Sequence, residues 1–178
     1  MILNTRDSIS VLDPVNQGQT LTEKAVDVHV VDGEEMIARW FLSPNECDLM
    51  IWFRSTGELS RFQLNAAGQI TDWCVVEGLQ TGLIVEIEFA APSVKPTAGR
   101  QPRAEVQYAE TIQFDATLNI EAVRTARELI SNASAVSKPA QLAMIEILGR
   151  NWPRVSKPRA NASRTRFWGR FKRWTAGT

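Results

Sequence analysis

The sequence predicts an α+β protein: an antiparallel β-barrel or sandwich of about six to eight strands, followed by two helices and a basic aromatic C-terminal tail. Three observations indicate this fold class. Short apolar runs separated by turn residues occupy residues 25–115, and the apolar period then changes to that of a helix. Residues 147–178 contain nine Lys or Arg and no Asp or Glu.

The charge balance divides the chain at the same place. The whole chain has 20 basic and 20 acidic residues. Subtracting the nine terminal cations leaves 11 basic and 20 acidic residues in the body, so a body of −9 precedes a tail of +9. We therefore predict a polar N-terminal arm (1–24), a β-rich domain ending in a helical pair (25–149), and a basic linker with an amphipathic aromatic helix (150–178).

The predicted strands follow one another with short turns. Val26, Val28 and Val30 alternate with polar residues before Asp32-Gly33, which indicates a hairpin. Residues 49–53 form a continuous apolar run, typical of a strand covered on both faces. Further strands are predicted at 59–64, 69–76, 83–89 and 105–114. The segment 78–82 begins and ends with glycine, which predicts a turn whose backbone amides could receive an anion.

Two helices are predicted after the strands. In residues 119–132 the apolar side chains recur on one side of a helix, and Asn119 can cap its first turn. Residues 138–148 are apolar around most of a helix, with Ser137 before them and Gly149 after. We expect this second helix to be buried against the sheet or against a second copy of the chain, so a homodimer is one prediction.

The basic aromatic tail is the strongest candidate for function. A helical wheel separates its aromatic and cationic side chains onto different sides. The candidate binding residues are Arg166, Phe167, Trp168, Arg170, Phe171, Lys172, Arg173 and Trp174. Rings buried at a headgroup boundary with cations on anionic lipid are typical of a helix lying in a membrane surface. The segment resembles the short C-terminal targeting helices of bacterial peripheral membrane proteins over about ten residues.

Three other partners suit the same residues. Nucleic acid fits because cations neutralise phosphates and aromatic rings stack on unpaired bases. A protein partner could receive an aromatic helix in a groove. The tail could also dock on the acidic body, its own or a neighbour's, because the two charges are equal and opposite.

A ligand slot in the barrel is the second candidate site. Trp40, Trp52 and Trp73 lie on three different predicted strands and His29 on a fourth, so these four side chains could line a cavity. Large aromatics on strands more often form core. Cys47 and Cys74 lack the spacing of a metal site, and we predict no catalytic residue, metal or cofactor.

These patterns favour a non-enzymatic binding or localisation module over an enzyme. The N-terminus lacks the basic region and apolar core of a secretory signal, and no apolar run approaches the roughly 20 residues needed to span a bilayer. We therefore expect a cytoplasmic protein, peripheral on the inner face of the membrane, with an anionic membrane surface or a protein as its partner and nucleic acid as the alternative.

Overall fold

A computed structural model describes residues 13–31, 33–44, 46–90 and 106–153. These residues form one antiparallel sheet and three helices. The strands are β1 (Thr22–Val31), β2 (Glu34–Ser43), β3 (Cys47–Arg54), β4 (Leu59–Ala66), β5 (Gln69–Cys74), β6 (Gly78–Ala90) and β7 (Val106–Phe114). The helices are α1 (Pro14–Thr20), α2 (Ile120–Ser131) and α3 (Lys138–Leu148).

The sheet is an open meander of seven strands in the order of the chain. Each strand pairs with the next, and β1 does not pair with β7 in the described part of the chain. The α+β class, the strand number and the two helices after the sheet are confirmed, whereas the closed barrel is wrong, and the described strands form one sheet instead of the two sheets of a sandwich. Closure requires the first and last strands to hydrogen-bond; here the helices bury one face of the sheet instead.

One face of the sheet and the helices form the main core. The strand residues of this core lie on β2 to β6, and α2 and α3 contribute its other half. Phe62 and Trp73 stack in it with ring centroids 5.9 Å apart. The largest fully buried side chains include Phe41, Phe62, Leu49, Ile51, Leu64, Leu129, Ile130 and Met144. The predicted strand at residues 49–53 is covered on both faces, because Met50 and Trp52 are also buried, on the opposite side.

Both helices after the sheet begin and end where the sequence predicts. The Asn119 side chain accepts hydrogen bonds from the backbone amides of Glu121 and Ala122, at 3.1 and 3.2 Å. The α3 helix packs its apolar side chains into the body, which is the first of the two expectations for it, and only Leu142 among them lies exposed, at 56%. Whether the chain forms a homodimer remains a prediction.

The α1 helix lies in the segment predicted as a polar arm. Asp13 caps it by accepting hydrogen bonds from the amides of Val15 and Asn16, and Pro14 occupies the first turn. A methyl group added at Gly18 would lie 2.3 Å from the carbonyl oxygen of Leu129 on α2. The absence of a side chain at this position therefore allows α1 and α2 to pack closely.

The segment predicted as a glycine-bracketed turn is instead the start of β6. The turn lies at residues 75–77, and β6 continues from Gly78 through Gly82 while pairing with β5. A Cβ at Gly82 would lie 2.5 Å from the Gln113 carbonyl oxygen and 3.0 Å from Phe114 Cα. This glycine allows β7 to approach β6, and its amide belongs to a strand rather than to an anion site.

Trp152 anchors the end of the described chain to the body. Its indole nitrogen donates to the carbonyl oxygen of Ile147 at 2.7 Å, and its ring packs against the main core. A Cβ at Gly78 would lie 3.0 Å from this ring. The chain therefore leaves the described structure beside the turn between β5 and β6.

We expect Gly82→Ala to lower the free energy of unfolding by about 1 to 3 kcal/mol, because the added methyl group forces β6 and β7 apart. Urea denaturation measures this loss. Gly149→Ala is the matched control: Gly149 has φ −85° and its Cβ would lie 3.3 Å from the nearest atom, so its effect should stay below about 1 kcal/mol. Equal midpoints for the two variants would contradict the close approach.

Candidate functional site

The strand register defines a second face of the sheet. Side chains alternate between faces along a strand, so directly paired residues point to the same side. One row of pairs joins Gly78, Cys74, Arg61, Trp52, Ala38 and Asp27 across six strands. The adjacent row joins Gln80, Asp72, Gln63, Met50, Trp40 and Ala25. No described helix contributes to the apolar cluster on this side, which we call the helix-free face.

An apolar patch occupies the β2–β3 half of the helix-free face. It is separate from the main core and consists of Met36, Ala38, Trp40, Met50 and Trp52. We call these five residues the tryptophan patch. Trp52 is only 6% exposed, and Trp40 is partly buried against the others. Two indoles and two thioethers together form a polarizable cluster whose partly exposed member, Trp40, suits contact with aromatic and cationic groups.

A buried polar network borders the tryptophan patch on β4 and β5. Asp72 is 0% exposed and pairs with Arg61, whose Nε lies 3.0 Å from Asp72 Oδ1. The same guanidinium lies over the Trp52 ring, 4.8 Å from its centroid, and also donates to Gln63 Oε1 at 3.0 Å. Arg61 therefore joins the acidic and aromatic parts of the face.

Gln63 directs an unsatisfied donor into this network. Its side-chain oxygen must face Arg61, since a guanidinium only donates, and so its Nε2 points the other way. Gln63 is 3% exposed, and the structure gives its Nε2 no acceptor among the described residues. A buried amide donor without an acceptor costs free energy, and a ligand that brought an oxygen to this point would remove that cost.

Asp48 is a partly buried carboxylate at the far edge of the patch. It pairs across the strands with Asn65, whose amide donates to Asp48 Oδ2 at 2.9 Å. Burial raises the pKa of Asp48 to about 6, although the hydrogen bond from Asn65 acts in the opposite direction. A carboxylate held in this way gains from a nearby cation.

The helix-free face is acidic overall. The register places Asp27, Asp48, Asp72, Glu86 and Glu110 on it. Its described guanidinium groups are already engaged, Arg61 with Asp72 and Arg54 with Glu34 and Glu58. Glu86 and Glu110 are directly paired across β6 and β7, an arrangement that attracts cations. The face therefore complements a ligand that combines positive charge with aromatic rings.

The structure brings together three of the four residues of the predicted ligand slot. Trp40, Trp52 and His29 lie on the helix-free face, and His29 Nε2 is 3.5 Å from Asp27 Oδ2. Trp73 lies on the opposite face, in the main core. The open sheet does not enclose these side chains, so they lie on one of its faces and do not line a barrel.

The eight predicted tail residues, from Arg166 to Trp174, lie outside the described residues. The sequence prediction also missed the Arg61, Gln63 and Asp72 network. Polar and apolar residues alternate from Arg61 to Asn65, a period that indicates a two-faced strand. Nothing in that period shows that the polar side is buried.

Other cavities and side-chain clusters among the described residues give weaker evidence for a binding site. A cleft of about 200 Å³ lies between α2 and the β4–β5 hairpin, lined by Thr71, Asn119 and Ala122 among others. In the part of the chain that the structure describes, no group of three or more His, Cys, Asp or Glu residues could hold a metal ion. None of the described helices is long and apolar enough to cross a membrane.

We expect Asp48→Asn to flatten the pH dependence of stability. In the folded protein Asp48 keeps its proton up to about pH 6, whereas the unfolded chain loses it near 3.8. The unfolded state therefore binds fewer protons between these values, and stability falls as the pH rises through them. Relative to wild type, the variant should gain about 1 to 3 kcal/mol at pH 7.5 and almost nothing at pH 4.

Urea titrations at the two pH values measure this difference. Glu128→Gln removes one exposed negative charge from α2 and serves as the control for net charge. An Asp48→Asn variant that gains as much at pH 4 as at pH 7.5 would show that its carboxylate is not the cause.

We expect the two thiols to differ strongly in reactivity. Cys47 is 1% exposed, and burial, with the neighbouring Asp48 charge, raises its pKa to about 12. Cys74 is reduced and partly exposed on the helix-free face. Alkylation with iodoacetamide at pH 7.5, followed by mass spectrometry, should modify Cys74 in the native protein and Cys47 only after denaturation. Modification of both at similar rates would contradict the burial of Cys47.

Comparisons with protein-family models, with curated proteins and with solved structures find no match to this chain.

Proposed function

We propose that the protein is a non-enzymatic binding module that attaches to an anionic membrane surface through residues 166–174. The observation that carries this proposal is the separation of charge, −9 in the body and +9 in residues 147–178. Each cation close to an anionic bilayer contributes about 1 kcal/mol, so Arg166, Arg170, Lys172 and Arg173 together contribute on the order of 4 kcal/mol before any ring is buried. Such an attachment is reversible.

The point at which the described chain ends is compatible with a tail that binds a membrane at a distance from the body. Trp152 fixes the chain at the β5–β6 turn, and residues 154–162 separate that point from the aromatic segment. Nine residues span at most about 30 Å. The Debye length at physiological salt is about 8 Å, so repulsion between an acidic body and anionic lipid is screened over this distance.

We expect the full-length chain to sediment with vesicles that contain phosphatidylserine and not with vesicles of phosphatidylcholine alone. Lys172→Gln with Arg173→Gln should weaken binding about 30-fold, since two cations at about 1 kcal/mol each are lost. The matched control removes two linker cations, Lys157→Gln with Arg159→Gln, and should weaken binding less than about threefold because these lie farther from the buried rings.

Two results would overturn the membrane proposal. One is a full-length chain that stays in the supernatant with phosphatidylserine vesicles at low ionic strength. The other is tighter binding to a single-stranded oligonucleotide than to vesicles at physiological salt, lost steeply as salt rises. This second result would establish the nucleic-acid alternative, which uses the same rings and cations.

A further inference from the structure

We infer that the helix-free face is the binding surface for residues 163–174 of this same chain. Four observations on the described residues lead to this conclusion. They are the composition of the face, the unsatisfied donor of Gln63, the point at which the chain leaves the body, and the position of Cys74 between that point and the tryptophan patch.

The composition of the face complements this segment in both charge and shape. Within the tryptophan patch Trp40 is the partly exposed member, and the other four residues are at most 8% exposed, so Trp40 is where a docked ring can pack. The register also places more carboxylates than guanidinium groups on this face. Residues 163–174 contain four aromatic residues and five Arg or Lys. The rings of the segment would pack on the patch, and its cations would lie beside Asp27 and Asp48. Both the aromatic contacts and the charge contacts would then be favourable.

Gln63 is an independent observation that favours an occupant. Its buried Nε2 lies in the middle of the face, between Met50 and Asp72 in the cross-strand row. A carbonyl oxygen of a docked chain is an acceptor that satisfies it. Buried donors usually have a protein or water acceptor, so Gln63 Nε2 favours an occupant that brings an oxygen to this point.

The chain leaves the described body at the end of the sheet, beside the β5–β6 turn, where Trp152 packs against the main core and lies close to Gly78. The row of paired residues runs from Gly78, under the Trp152 ring, through Cys74 and Arg61 to Trp52. Three strand spacings of about 4.8 Å make this path about 14 Å long. The linker of residues 154–162 spans up to about 30 Å, so residue 163 can reach the patch without strain.

The other segments outside the described residues fit the face less well. Residues 1–12 contain one Arg and one Asp, and residues 91–105 contain three cations and one Glu; neither segment has an aromatic residue. Residues 1–12 also precede α1, which packs against α2 on the other side of the sheet. The terminal segment is the one whose rings and charges match the patch.

Cys74 provides a native probe of this docking. It lies on the path from Gly78 to Trp52, so a segment docked on the patch passes over its thiol. Cys47, buried in the main core, reports unfolding in the same sample. The rate of Cys74 alkylation by iodoacetamide in the full chain therefore measures how often the face is uncovered.

We expect Trp168→Ala with Phe171→Ala and Trp174→Ala to raise the Cys74 rate about tenfold or more, the value for a face that is covered nine-tenths of the time. Asp27→Asn with Asp48→Asn should also raise the Cys74 rate, because these substitutions remove the acidic side chains of the same contact. The control for the body, Glu128→Gln with Glu146→Gln, removes two carboxylates from the helix side and should leave the rate unchanged. Cys47 should stay unmodified throughout.

Equal Cys74 rates in wild type and in the triple aromatic variant would overturn the inference. A Cys74 rate that falls as the protein concentration rises would also overturn it, since the occupant is then a second copy. A third contrary result is release of Cys74 by deletion of residues 1–12 and not by the aromatic substitutions.

The same rings and cations cannot contact the face and a bilayer together, so docking competes with membrane attachment. This last step rests on the proposed function. Phosphatidylserine vesicles should then raise the Cys74 rate of the wild-type chain towards that of the triple aromatic variant. If the vesicles have no effect while the aromatic substitutions do, docking is supported and membrane attachment fails; the reverse pattern of vesicle binding with equal Cys74 rates rejects docking alone.

Discussion

The structure depends on one constraint: an antiparallel strand presents two faces, and the helices cover only one of them. The meander pairs every strand with its neighbour in sequence, so the register places each side chain on one side of the sheet. The helix side contains the main core with Phe41, Phe62 and Leu64. The other side is nonetheless rich in buried groups, from Trp52 to Asp72, and this second buried surface is where recognition can occur.

The strands and the two later helices could be predicted because their signals are local. Asp32-Gly33 marks the first hairpin, and Asn119 marks the start of α2, where its side chain does cap the helix. The continuous run at residues 49–53 indicated a strand buried on both sides. The closed barrel was wrong because closure depends on the distance between β1 and β7, which no local pattern encodes.

The candidate site could be predicted only in part. Trp40 and Trp52 were recognised as aromatic strand residues, but sorting them from Trp73 requires the register across β3, β4 and β5. That register includes an irregularity between Trp52 and Phe53. The Arg61, Gln63 and Asp72 network was missed for a similar reason. Its members are separated in sequence by up to 11 residues, and only the pairing of β4 with β5 joins them.

The contact of Trp152 with Gly78 determines where the terminal segment begins its path. With the chain fixed at the β5–β6 turn and nine residues before Ser163, docking within one molecule would take place at an effective concentration on the order of millimolar. A contact with a dissociation constant of about 0.1 mM would then be occupied about nine-tenths of the time within one molecule. Between separate molecules the same contact would be almost unoccupied at micromolar protein. The anchoring of Trp152 at the edge of the sheet therefore makes a weak contact selective for the segment of the same molecule over that of another.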